Sequence, residues 1–423
     1  MNPPSSVLIA GASAAGLGTA ESLRRKGYRG KITVLGAEPH APYDRPPLSK
    51  QVLAGAWEPE RARLRPRDAL DALDAAFLLG DPAVALDAAA RTVRTATGAR
   101  PRTLPGQDGL AGGSVHTLRS LDDAAALRAD LLTATRAVAV GDGVLGAEIA
   151  ATARTMGVDV TLAGPQPAPM AAQFGPRVAE LLAAVHAEQG VTLRLGTAAC
   201  GLTGHGGRVS GVRLADGEVL PADVAVIAVG ATPETGWLTG SGLTLDNGVV
   251  CDAYCRAADG IYAVGDVARW HHTGIGALLR LENRTNAVEQ AAAVAGNILG
   301  EEKPYTPVPY FWTDQFDAKI HVHGQPSPDA EVAVVEGAVE DRRFVAQYRR
   351  RGRITGVLGW NIPKQTRLTA RGCLAGHAGL PTPGTAPRGP ALVALRASPS
   401  YRWEVPPALS SRGLRATAPD AAR

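Results

Sequence analysis

Two apolar runs on this chain end in glycine-rich turns and then switch to helical spacing. Val7-Leu-Ile-Ala10 enters Gly11-Ala-Ser-Ala-Ala-Gly16, and Ala137-Val-Ala-Val140 enters Gly141-Asp-Gly-Val-Leu-Gly146. Each loop opens a predicted helix, the first through about Lys26 and the second through about Met156. A second strand follows each helix, Lys31-Ile-Thr-Val-Leu35 and Val158-Asp-Val-Thr-Leu162. The later half then adds a hairpin: Arg208-Val-Ser-Gly-Val-Arg-Leu214, the turn Ala215-Asp-Gly-Glu218 and a return strand. It leads into Asp223-Val-Ala-Val-Ile-Ala-Val-Gly230, whose unbroken apolar run suits a buried parallel strand. Gly260-Ile-Tyr-Ala-Val-Gly-Asp266 predicts another buried strand, closed by a glycine and an acid. From 305 to about 361 apolar and polar positions alternate as in antiparallel strands, for example Lys319-Ile-His-Val-His323 and Arg343-Phe-Val-Ala-Gln-Tyr348. From about Cys373 the periodicity fails, and a tail rich in Gly, Pro, Ala and Arg is predicted to be mostly disordered.

A strand, a glycine turn and a helix in that order make a dinucleotide cradle. Glycine lets the turn close and the backbone approach a pyrophosphate, which rests on the helix N-terminus. One such loop is weak evidence. Two on one chain predict two nucleotides held face to face, one a flavin and one a nicotinamide.

Composition narrows the class without changing it. The 423 residues are 45% hydrophobic and carry a net charge of +4, too mild and scattered to argue for nucleic acid. No stretch approaches the ~20 apolar residues of a membrane span. The start, Met1-Asn-Pro-Pro-Ser-Ser, has no basic region of a secretory signal, so a cytoplasmic protein is expected. Cys200, Cys251, Cys255 and Cys373 form no Cys-x-x-Cys near a glycine loop, which argues against a redox dithiol and for incidental thiols. His321 and His323 share a strand face and His271-His272 are adjacent, but no third ligand is placed nearby, so no metal is expected.

Longer motifs carry a family resemblance. They include Pro39-His-Ala-Pro-Tyr-Asp-Arg-Pro-Pro-Leu-Ser-Lys50, Ala96-Thr-Gly-Ala-Arg-Pro101 and Leu118-Arg-Ser-Leu-Asp-Asp123. Further on stand Tyr262-Ala-Val-Gly-Asp-Val-Ala-Arg-Trp270, Asn286-Ala-Val-Glu-Gln290 and Pro309-Tyr-Phe-Trp-Thr-Asp-Gln-Phe316. With these, the chain from about Val7 to Lys364 resembles the FAD-dependent NAD(P)H reductases that feed ferredoxins or rubredoxins serving oxygenases. The resemblance implies an α/β fold of two Rossmann-like dinucleotide-binding domains with a C-terminal α+β domain. The expected division is 1–110 and 241–303 for the FAD domain, 111–240 for the NAD(P) domain, 304–372 for the C-terminal domain and 373–423 for the tail.

Site roles follow from the same resemblance. Gly11, Ser13, Ala14, Ala15 and Gly16 would hold the FAD pyrophosphate, Ser13 standing where relatives have a glycine. Glu38 would bind the FAD ribose, one position after the usual place of that acid, which is Ala37 here. Arg45 and Lys50 would contact the flavin, Arg128 would lie near the adenine nucleotide, Gly265 and Asp266 near the ribityl chain or pyrophosphate, and Trp312 against the isoalloxazine. Gly141, Gly143 and Gly146 would hold the nicotinamide nucleotide. Lys50 and Glu148 are the expected catalytic pair: a lysine favours the negative charge of a reduced flavin, and an acid orients the lysine. The implied cofactors are FAD and NAD(P)H, and the implied partner is a small acidic ferredoxin or rubredoxin. Arg342, Arg343, Arg349, Arg350, Arg351 and Arg353 could steer it. A quinone-reducing relative with no protein partner, and a flavin-poor binding protein, are the rival readings.

Two departures qualify these expectations. The acid that closes the second strand of the nicotinamide half falls at Gly164, followed by Pro165-Gln-Pro, and no arginine follows to hold a 2′-phosphate. NADH against NADPH is therefore open. In the first half, Arg91-Thr-Val-Arg-Thr95 runs straight into Ala96-Thr-Gly98. The return strand and buried strand that precede the same point of the second half have no counterpart, which leaves an exposed sheet edge beside the FAD loop.

Overall fold

The computed structural model describes residues 3–94, 99–101, 104, 110 and 114–374. The Ala96-Thr-Gly98 turn and the tail from 375 lie outside them; Cys373 and Leu374 end the helix Pro363–Leu374.

Both glycine loops form as the apolar pattern predicts. In the second half, five parallel strands lie in the order Thr192–Leu195, Asp159–Gly164, Arg136–Val140, Val224–Ile227, Val115–His116. Val224–Ile227 is buried at every position, as its unbroken apolar run requires. The antiparallel hairpin of Arg208–Leu214 and Val219–Pro221 feeds it.

The first half holds less. Ser6–Ala10, Lys31–Gly36 and Ala75–Leu79 make a three-stranded parallel sheet with Ser6–Ala10 at its edge. Among the described residues nothing pairs with the outer side of that strand, where the second half places Val224–Ile227. The consequence is visible residue by residue. Arg136–Val140 is buried after its first residue, whereas Ser6–Ala10 buries only Ile9 fully and leaves Leu8 41% exposed. The segments nearest the gap, Ala85–Asp87 and Thr92–Arg94, pair with each other instead.

The same gap overturns one expectation. The run 260–266 is not a buried strand. Ile261–Tyr262 makes a two-residue, half-buried antiparallel contact with Arg256–Ala258, and a 3-10 turn, Gly265–Val267, follows. An apolar run becomes a buried strand only where a neighbour supplies hydrogen bonds, and none of the described residues does so here.

Residues 310–360 form an antiparallel sheet in the order Tyr310–Gln315, Ala318–Gly324, Arg353–Trp360, Arg343–Arg350, Glu331–Ala338. Pro363–Leu374 closes over it, burying Ala370 and Leu374 against Val345 and Val357. The opposite face packs Phe344, Tyr348 and Trp360 against Phe174 and Leu182 of the second half. No helix among the described residues is long and apolar enough to cross a membrane.

Candidate active site

A cavity of about 970 Å³ opens at the first glycine loop. That is the upper end of the roughly 300–1,000 Å³ typical of ligand pockets. Gly11, Ser13, Ala14, Ala15 and Gly16 line it, with Glu38, Arg45, Gly265 and Asp266. Gly11 has φ +115°, and a Cβ on Gly16 would sit 1.7 Å from the Gly11 carbonyl oxygen, so both positions require glycine. The helix Ala14–Arg25 begins at Ser13 with no side-chain cap, which leaves its first N–H groups free for an anion. Opposite, the Gly265 N–H donates to Oε1 of buried Gln290 at 2.7 Å, fixing the turn that presents Asp266. These features fit a dinucleotide pyrophosphate.

Charged groups ring the same space. Arg45 donates to Glu38 Oε1 at 2.7 Å and to the Arg119 carbonyl at 2.5 Å, while the Tyr43 hydroxyl donates to Glu38 Oε2. Arg119 stands 3.5 Å from Asp266. Burial raises the Asp266 carboxyl above the usual range, and the Arg119 guanidinium only partly opposes it. Burial and the Arg45 charge together lower Arg119. Arg119 belongs to the recognised 118–123 motif, yet nothing local distinguishes it from any solvated arginine.

The cavity also runs along the open edge of Ser6–Ala10, toward Leu86, Leu243, Val249, Ile261 and Ile298. This apolar limb lies along the side of the first sheet that no described strand covers. The loop, the helix start and the Gly265 turn thus form a cradle, and among the described residues one side of its supporting sheet is open.

A second cluster joins three parts of the chain. The proline pair of Pro46–Ser49 winds a 3-10 turn that delivers Ser49 and Lys50. Lys50 Nζ donates to Glu148 Oε2 at 2.6 Å, and Ser49 Oγ donates to the same oxygen at 2.6 Å. Glu148 projects from the helix Val144–Thr155 and is 5% exposed. Its other oxygen accepts from Thr313 Oγ1 at 2.8 Å, so every partner of the buried carboxylate is a donor. Lys50 Nζ also lies 5.0 Å from the centre of the Trp312 ring. A buried chain continues from Thr313 to Gln315 and on to His186, 2.8 Å from Gln315 Oε1. Burial lowers His186 below its ordinary value and favours the neutral ring. Neighbouring Asp314 is raised, by burial first, against the pull of Lys50.

The second glycine loop repeats the first. Gly141 has φ +117°, a Cβ on Gly146 would sit 1.7 Å from the Gly141 carbonyl oxygen, and Gly143 faces open space at an uncapped helix start. Asp142 departs from the glycine-and-alanine pattern. Only 4% exposed, it accepts from the Gln166 N–H at 2.7 Å and from Gln166 Nε2 at 2.6 Å.

The structure therefore brings Lys50, Glu148 and Trp312 together, and separately gathers the first loop with Glu38, Arg45 and Asp266. Arg128 joins neither group: it donates to the Leu53 carbonyl at 2.9 Å and lies against Gly55. The six C-terminal arginines do not form one patch. Arg342 and Arg343 stand at one end of Arg343–Arg350, and Arg349 to Arg353 at the other, roughly 20 Å away at ~3.4 Å per residue. Arg342 pairs with Glu188 and Arg350 with Asp329. Ser49, Thr313, Arg119 and Asp142 were not singled out from the sequence.

Two nucleotide cradles with a buried Lys–Glu pair between their halves define a flavin- and nicotinamide-binding oxidoreductase. The profile of the pyridine nucleotide-disulphide oxidoreductases matches residues 5–291, and the reductase C-terminal profile matches 310–382. The chain belongs to this family, as a member of its FAD-dependent, putidaredoxin reductase-like branch. It is 35% identical to rhodocoxin reductase of Rhodococcus erythropolis over 88% of this chain and 89% of that protein. With putidaredoxin reductase of Pseudomonas putida it shares 32% identity over 86% and 90%. The crystal structure of the ferredoxin reductase for the CYP199A2 system from Rhodopseudomonas palustris superposes with a TM-score of 0.82 at 32% identity, covering 87% of this chain and 94% of that one. The reductase of a covalent putidaredoxin reductase–putidaredoxin complex gives 0.81 at 32%, covering 87% and 92%.

Proposed function

We propose that this protein passes electrons from NAD(P)H through FAD to a small iron–sulfur protein, in the service of an oxygenase. One observation carries the reading: Lys50, Glu148 and Thr313, from the first half, the second half and the C-terminal sheet, meet in one hydrogen-bonded cluster. We read that convergence as supporting a site where the three parts meet. FAD, when bound, supplies two-electron acceptance and one-electron release; the protein aligns and tunes it. Gly11, Ser13, Ala14, Ala15 and Gly16 would hold its pyrophosphate and Glu38 its ribose, with Arg45 and Asp266 lining the same cavity. Lys50 presents positive charge from beneath Trp312, and Glu148 holds the ammonium in place while Ser49 and Thr313 satisfy its remaining lone pairs. The three-part cluster also excludes water from that charge.

The relatives whose names specify rhodocoxin, putidaredoxin or a ferredoxin support a partner of the same kind, a small iron–sulfur protein. Purified protein supplied with FAD, NADH and a plant-type or putidaredoxin-like ferredoxin should reduce cytochrome c far faster than without the ferredoxin. Equal rates with and without it would favour the quinone-reducing reading. The open edge of Ser6–Ala10 favours a second reading, a flavin-poor protein; no rate even with saturating FAD would support that one.

A further inference from the structure

The nicotinamide half has no acid at the end of its second strand, and the structure shows what stands there instead. A Cβ added to Gly164 would lie 2.3 Å from Asp142 Oδ2 and 2.4 Å from its Cγ. The carboxylate of Asp142, carried by the glycine loop, thus fills the space in which a side chain at 164 would begin. An acid at 164 and an acid at 142 exclude each other. At the corresponding place in the first half, a Cβ on Gly36 would meet apolar atoms, the Cβ of Ala12 and Cδ2 of Leu79, each 2.8 Å away. Only in the second loop is the intruding group a carboxylate.

We propose that Asp142 is the residue that recognises the adenosine ribose of the nicotinamide nucleotide and selects NADH over NADPH. The inference rests on the reading of the second loop as the nicotinamide site. The position is right, because an acid here reaches the strand end at which ribose hydroxyls are normally accepted. The chemistry is also right. An ionised carboxylate offers about four acceptor sites, and Gln166 fills two of them, one with a main-chain N–H and one with its side-chain amide. Gln166 Nε2 is a neutral donor of the kind a ribose hydroxyl provides, and its amide oxygen is tied in turn to the Ala172 N–H at 2.6 Å. Gln166 and the Met170 N–H, which donates to the Asp142 carbonyl at 2.7 Å, hold the acid in place before any nucleotide arrives. A 2′-phosphate brought to the same carboxylate meets like charge and finds no hydrogen to accept.

The test is titration calorimetry of NAD+ and NADP+ into the purified protein. These oxidised forms carry the same adenosine ends as NADH and NADPH, stand in for them here, and have no hydride to give a bound flavin, so the heat reads binding without turnover. The wild type should bind NADH at least about tenfold more tightly than NADPH, the equivalent of one good charged hydrogen bond. Asp142→Asn keeps the shape and an acceptor for the Gln166 N–H, so the fold is retained while the preference collapses to within about twofold, mainly by weakened NADH binding. The double variant Asp142→Gly with Gly164→Glu moves the acid back to the strand and should restore it. Asp142→Asn with an unchanged NADH-to-NADPH ratio would overturn the proposal and leave Asp142 a pin for the 165–170 loop. Wild type that binds neither nucleotide would instead overturn the reductase reading beneath it.

Discussion

Replacing Lys50 by methionine and Glu148 by glutamine, singly and together, measures how far the two act as one unit. Their side chains are 10% and 6% exposed, with 2.6 Å between Nζ and Oε2. Removing either partner strands a buried charge, a loss of roughly 3–5 kcal/mol in such settings. Here the remaining partners hold each single variant near the lower figure. Without Lys50, Glu148 keeps the hydroxyls of Ser49 and Thr313; without Glu148, Lys50 keeps the face of Trp312. The double variant strands no charge, so it should cost little more than either single change, a coupling of about 2–3 kcal/mol. Urea unfolding of the four proteins gives that number. Stopped-flow reduction by NADH at saturating FAD gives the functional one. Lys50→Met should slow reduction by roughly 10- to 150-fold, the value of one charge-assisted hydrogen bond of about 1.5–3 kcal/mol, while FAD affinity falls less. Unfolding energies that add within ~0.5 kcal/mol, with a wild-type reduction rate, would refute the pairing.

Gly16→Ala should cost the first loop its closure and flavin binding together, because its Cβ meets the Gly11 carbonyl; Gly143→Ala, which meets nothing, should fold normally and lose only nicotinamide nucleotide affinity. Thermal melts beside nucleotide titrations separate the two. Cys251 and Cys255 are buried, and burial pushes the Cys251 thiol up to about 12 and Cys255 higher still, so Ellman's reagent should reach them only after denaturation. Exposed Cys200 should react at once. A chain ending at Leu374 should keep its melting temperature, since that residue completes the packing of Pro363–Leu374; ending it at 362 should lower it by several degrees.

The two cradles were legible in the sequence because they depend on local properties: strand periodicity, and glycines where φ is positive or a Cβ has no room. Lys50 and Glu148 lie 98 positions apart, so only a family motif could pair them. Ser49 and Thr313 were missed because hydroxyls beside a buried acid carry no spacing signal. Asp142 carries no signal of its own within the glycine loop, since its occupation of the space beside Gly164 exists only in three dimensions. The run 260–266 was misread for a related reason. Its apolar pattern describes a buried strand, but burial is granted by a neighbour, and none pairs with it among the described residues.

The open edge of Ser6–Ala10 among the described residues makes flavin retention the decisive measurement. Val224–Ile227 buries four residues in the second sheet, three of them large, at about 1.5–3 kcal/mol for each large side chain. The first sheet forgoes a gain of that order beside the loop that holds FAD. The flavin-to-protein absorbance ratio after gel filtration should therefore show substoichiometric FAD. Occupancy should rise when a turn and strand patterned on residues 215–228 are inserted between Val93 and Ala96. Full, tightly held FAD in the unaltered chain would contradict the claim that the open edge of Ser6–Ala10 governs how this protein holds its cofactor.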